Sequence, residues 1–174
     1  MSDDQPSIVF VVATYEDVSA AEAGYQAVCD VYRGLDEMEQ VDAVVLGKTV
    51  TGVARIYEGD VRPTTTNKMA TGLAVALFTA AQIGSVTWTA VEGAVTGVLA
   101  GRIAAGMSRD DLNELGDRLD RCDAALIVAV APDMENKMAG ALSRAHSTVS
   151  HRARPDTAEI GRDIAAIRSA DHAP

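Results

Sequence analysis

The 174-residue chain reads as an α+β domain, and three observations predict it. Two runs, IVFVVATY at 8–15 and AALIVAVA at 124–131, are nearly continuous in apolar side chains, as strands covered on both faces are. Other stretches repeat apolar residues at the helical period of 3.6 rather than the strand period of two. Between the halves lie residues 69–107, MATGLAVALFTAAQIGSVTWTAVEGAVTGVLAGRIAAGM, which carry only two charged side chains, Glu92 and Arg102.

Residues 8–15 form the first strand. Ser19 and Glu22 then make a capping box that opens a helix, with Ala21, Tyr25, Val28, Cys29 and Tyr32 on its apolar face and Gly34 at its end. Residues 41–48 and 53–58 read as two strands joined by a turn containing Gly47 and Gly52. Pro63 and three threonines make a linker into the Gly/Ala segment. Beyond it, Ser108 caps a helix with Asp111 three residues on, and Leu112, Leu115 and Leu119 face one side. Residues 124–131 are the next strand. Pro132 opens a helix whose apolar face is Met134, Met138, Ala141, Leu142 and Ala145.

With residues 67–107 set aside, the order is βαββ, then αβ, then a helix. That is the ferredoxin-like βαββαβ order. The expectation is a single domain: a core of 7–66 and 108–154, a helical hairpin at 67–107 inserted between third strand and second helix, and a C-terminal helix at 155–170. Ile160, Ile164 and Ile167 line one face of that last helix. In this order 124–131 is an edge strand, and so apolar an edge needs cover. Either residues 148–153 pair with it as a fifth strand, or a second subunit does.

Within the central segment Gly93, Gly97, Gly101 and Ala105 recur every fourth residue, so on a helix they form one smooth stripe. Such a stripe lets another backbone approach closely and points to self-association. A membrane span is the competing reading, since residues 69–91 hold no charge. Their apolar side chains contribute only about −2 to −4 kcal/mol towards insertion, opposed by Gln82, Ser85 and the threonines. A single span would also part the strands of the sheet, and a hairpin's second leg would bury Glu92 at about 2.5–3.5 kcal/mol. A soluble hairpin buried in an oligomer is the favoured reading; a membrane-embedded hairpin and a hairpin packed on its own sheet are the alternatives.

Fifteen Lys and Arg against twenty-five Asp and Glu leave a net charge of −10. Nucleic acid and anionic lipid both demand basic patches, so most of this surface suits neither. Cys29 and Cys122 lack metal-ligand spacing and read as small hydrophobes in a reducing compartment. The start, MSDDQP, has no apolar run before Ile8, so no signal peptide is expected. The expected location is cytoplasmic, with association at the inner face of the membrane as the variant reading.

No catalytic, cofactor or metal motif stands out, so none is expected. Glu92, alone among Val, Ala and Gly, is a candidate proton-linked switch, set against a plain solvent-facing role. Arg144, His146, His151, Arg152 and Arg154 are the one basic cluster and a candidate contact for an anion or an acidic partner, set against simple pairing with nearby acids. The spacing of His146 and His151 is not that of a helical metal pair. Asp110, Asp111, Glu114, Asp117, Asp120 and Asp123 lack the spacing of a calcium loop and read as a solvated helix face. Trp88 and Tyr15 read as packing residues.

ATYEDVSAAEAGYQAV, VDAVVLGK, the Gly/Ala stretch and GMSRDDLNELGDRLDRCDAALIVAV together resemble a bacterial family defined as a domain of unknown function. Its members are often labelled predicted membrane proteins because of the central segment. The resemblance covers roughly residues 8–155 and is most specific over 106–130. Family members tend to carry a proline break in mid-hairpin; here the place reads FTAAQIGSV, without one. The family brings no catalytic residues to transfer. The functional expectation is a non-enzymatic oligomeric scaffold joined through its glycine-striped hairpin. A membrane-anchored protein and a ferredoxin-like dimeric enzyme or small-molecule carrier are the alternatives.

Overall fold

The computed structural model describes residues 7–37, 41–48, 54–57 and 106–154, together with Arg162 and Ala166, which are helical. In chain order the elements are β1 (Ile8–Tyr15), α1 (Val18–Gly34), β2 (Ala43–Lys48), β3 (Ala54–Tyr57), α2 (Arg109–Arg121), β4 (Ala124–Val130), a 3₁₀ turn (Pro132–Met134), α3 (Glu135–Ala141) and β5 (Ser147–Ala153). The strands form one antiparallel sheet in the order β3-β2-β4-β1-β5. Because β4 is antiparallel to both neighbours, β1 and β2 run parallel with β4 between them. By the same logic β4 and β5 run parallel with β1 between them. The helices α1 and α3 are the two crossovers, so the architecture is α+β.

Both central strands are apolar because both their faces are covered. Val9, Val11, Ala13 and Tyr15 on β1, with Ala124, Leu126, Val128 and Val130 on β4, share one core with the apolar faces of α1 and α3. Phe10, Val12 and Ile127 alternate to the opposite face and are equally buried. There α2 contributes Leu112, Leu115 and Leu119, all buried and spaced for one helical stripe.

The strand order corrects the sequence expectation. Residues 124–130 are not an edge but lie between β1 and β2, and residues 147–153 pair with β1 rather than with β4. All seven residues of β4 are buried, which an interior position explains without any second subunit. Among the described residues the outermost strand on that side is β3, with the sequence ARIY.

Helix boundaries are settled by caps. The α1 cap is Asp17, two residues before the expected Ser19: its Oδ1 accepts from the Ala20 amide at 2.7 Å. Its far end closes on Asp36 rather than Gly34. Asp36 has φ of 57°, its amide donates to Arg33 O, and the Glu37 amide donates to Tyr32 O at 2.9 Å, the two bonds of a Schellman motif. At α2, Ser108 Oγ accepts from the Asp111 amide at 3.1 Å, as its sequence signature implies.

Gly24 lies on the buried face of α1, under the Tyr15 ring. A Cβ there would stand 2.2 Å from Tyr15 Oη and 2.7 Å from Cζ, with Leu126 Cδ2 at 3.4 Å. Tyr15 is itself buried and cannot swing freely. We expect Gly24→Ala to destabilise the fold: overpacking costs about 1–3 kcal/mol against a helix-propensity gain of about 1 kcal/mol. In a Tyr15→Leu background the same substitution should cost less, measured as a coupling in urea melts. Equal costs in the two backgrounds would mean the phenol is not the obstacle.

The inserted segment at 67–107 up to Ala105, with Glu92 and the small-residue stripe Gly93, Gly97, Gly101 and Ala105, lies outside the described residues. Met107, just after that segment, is buried. Among the described residues no helix is long and apolar enough to cross a membrane.

Candidate metal-binding site on α2 and β5

Strand β5, STVSHRA, is half-covered, so its residues alternate in environment. Ser147, Val149 and His151 are half-buried and Ala153 is buried, while Thr148, Ser150 and Arg152 are exposed. His151 pairs in register with Phe10 and therefore shares its face, the face on which α2 lies.

On α2 the leucine stripe points to the sheet. Asp111, Glu114 and Arg118 follow one another at spacings of three and four along an adjoining stripe. The result is that an imidazole from β5 meets two carboxylates from α2, across forty residues of sequence. His151 Nδ1 lies 3.3 Å from Asp111 Oδ1, and Nε2 lies 3.9 Å from Glu114 Oε2. One donor atom from each of Asp111, Glu114 and His151 falls within 4.8 Å of the other two.

The burial is graded. His151 has a side chain 12% exposed, against 39% for Asp111 and 49% for Glu114, so the site is reached from solvent over the helix. His151 Nε2 is buried and has no hydrogen-bond partner. An orphaned buried ring nitrogen costs about 1–3 kcal/mol relative to a satisfied one. Arg118 Nη2 stands 3.4 Å from Glu114 Oε1, so one oxygen of that carboxylate is oriented by the guanidinium while the other faces the imidazole. On α2 lie Asp110, Asp111, Glu114 and Asp117, against three arginines. The local field favours a positive guest. Two oxygens and a nitrogen are a donor set suited to a divalent cation.

The basic cluster is not gathered at one surface. Alternation on β5 sends His151 towards α2 and Arg152 to the other face. Arg144, His146, Arg152 and Arg154 are exposed, and the His146 amide donates to Thr14 O at 2.8 Å, fixing the start of the β5–β1 ladder. The residues that do come together, Asp111 and Glu114 with His151, were split in the sequence reading between a solvated acidic helix face and a basic cluster. Two signals bore on them: the three-residue spacing of the acids, and a histidine at an inward position of an alternating strand. Cys29 is buried, and burial pushes its thiol up; Cys122 is half-buried with its thiol directed at Leu119 O, and neither is disulfide-bonded.

No protein-family model matches this chain, and neither a curated protein nor a solved structure matches it.

Proposed function

We propose that the chain is a non-enzymatic, self-associating module: a ferredoxin-like domain that presents its inserted Gly/Ala hairpin to other copies of itself. The fold half of this reading is supported by the two interleaved βαβ units. If β1, β2, β4 and β5 are taken as the four core strands, their order and directions are those of the ferredoxin-like sheet, with β3, residues 58–108 and α2 together forming an insertion between the second and third. The family resemblance of residues 8–155 is part of the same proposal, as is a cytoplasmic location.

One observation carries the functional half. Among the described residues a five-stranded sheet forms from β3 to β5, and residues 69–107 hold only two charges and a four-residue repeat of small side chains. An apolar segment striped with small side chains suits a close backbone contact between subunits. Gly97→Leu is expected to disrupt assembly, because a side chain of that bulk cannot fit where backbones meet. Native mass spectrometry of detergent-free protein is the measurement: a wild-type oligomer converted towards monomer supports the reading. An unchanged mass in the variant, or a wild-type monomer, removes it. Recovery of the protein only in the membrane fraction would favour the anchored alternative.

A further inference from the structure

We propose that Asp111, Glu114 and His151 bind a divalent first-row transition-metal cation, clamping α2 to strand β5. The proposal does not depend on self-association. It rests on donors arriving from two separate elements. An acidic helix face alone would be an ordinary solvated surface. Here, however, a largely buried imidazole from the sheet is aimed at it, with an Nε2 that no hydrogen bond satisfies.

The distances suit a cation of that size. Ligand atoms bound at about 2.0–2.2 Å from a common centre lie roughly 3–4 Å apart. The Nε2–Glu114 Oε2 separation of 3.9 Å falls in that range, and the set of three donor atoms within 4.8 Å closes by a small rotation of the carboxylates. A histidine lends one nitrogen to a given cation. Nε2, which no hydrogen bond satisfies, is the ligating one, and Asp111, now 3.3 Å from Nδ1, turns an oxygen towards the cation to complete the set. Arg118, through Glu114 Oε1, orients the Glu114 carboxylate and leaves Oε2 for the cation.

The donor types set the class. Imidazole nitrogen with carboxylate oxygen suits zinc, manganese, iron or cobalt, whereas magnesium and calcium prefer oxygen alone and a thiolate-free set disfavours copper(I). Three protein donors leave at least one coordination position for water or an exchangeable ligand. Because β5 is outermost among the described strands, tying it to α2 should stabilise the sheet by mass action.

The test uses the full chain stripped with EDTA. Zinc chloride is titrated by calorimetry and followed by thermal melts, with cobalt(II) absorption reporting nitrogen and oxygen coordination. The expected result is one cation per chain in the micromolar range or tighter, a raised Tm, and weaker binding of magnesium. Asp111→Asn and Glu114→Gln are near-isosteric changes at half-buried and exposed positions and should fold normally by circular dichroism, while each lowers zinc affinity at least about tenfold. His146→Ala should leave affinity unchanged. Absence of micromolar zinc binding to the wild type overturns the proposal. So does zinc binding that both carboxylate variants retain in full, since the cation would then sit elsewhere.

Discussion

Leu126→Ala is expected to cost about 2–5 kcal/mol, a large share of the roughly 5–15 kcal/mol that holds a domain together. Leu126 is fully buried and lies opposite Ala13 on one side and Val45 on the other, with Gly24 of α1 above it. Two of those three neighbours are among the smallest residues, so the cavity cannot be filled by a side chain swinging in. Val149→Ala on the edge strand β5 should cost far less, about 1 kcal/mol, taking roughly 0.8 kcal/mol per methylene for a half-buried side chain. Urea melts of both variants compare the interior strand with the edge. Equal losses would contradict the order β3-β2-β4-β1-β5 and restore the edge position that the sequence alone suggested for β4.

That contrast marks what the sequence could carry. Strands β1 and β4 were legible because burial on both faces leaves an uninterrupted apolar run, a local property. The apolar faces of α1, α2 and α3 were legible for a similar reason, since period alone identifies Tyr25, Val28 and Tyr32, or Leu112, Leu115 and Leu119. Strand order is not local. The stripe of α2 reads the same whichever face of the sheet it covers, and only its position opposite α1 and α3 releases β4 into the centre. The α1 cap shows the limit at smaller scale: Asp17 and Ser19 are both competent caps, and the end of β1 at Tyr15 selects the nearer one.

The candidate site follows the same rule. Asp111 and Glu114 are spaced three apart on a helix that is otherwise acidic, so nothing local separates them from a solvated face. His151 sits among arginines in sequence, yet strand alternation turns it away from Arg152 and towards α2. Each half was readable. Their meeting required the helix to be placed on the correct side of the sheet, which no spacing within α2 or β5 specifies.

Raising the pH from 10 to 12 is expected to remove about 2 kcal/mol of stability through Tyr32 alone, counting roughly 1.4 kcal/mol per pKa unit. Tyr32 is buried at the end of α1, and burial, reinforced by the charges of Asp42, Glu37 and Asp133, pushes its phenol from 10 up to about 12. Below pH 10 both the folded and the unfolded chain hold the proton, so the contribution is fully present and flat. Between 10 and 12 the unfolded chain gives up the proton and the folded chain keeps it, so unfolding becomes progressively easier. Tyr15 and Cys29, both raised chiefly by burial, act in the same direction, with the thiol entering first from its ordinary value of 9. Tyr32→Phe keeps the ring and removes the ionisation, so the variant's urea midpoint should fall less steeply over this window than the wild type's. Groups common to both proteins cancel in that comparison, and parallel curves would show that the phenol at position 32 ionises as freely in the fold as outside it.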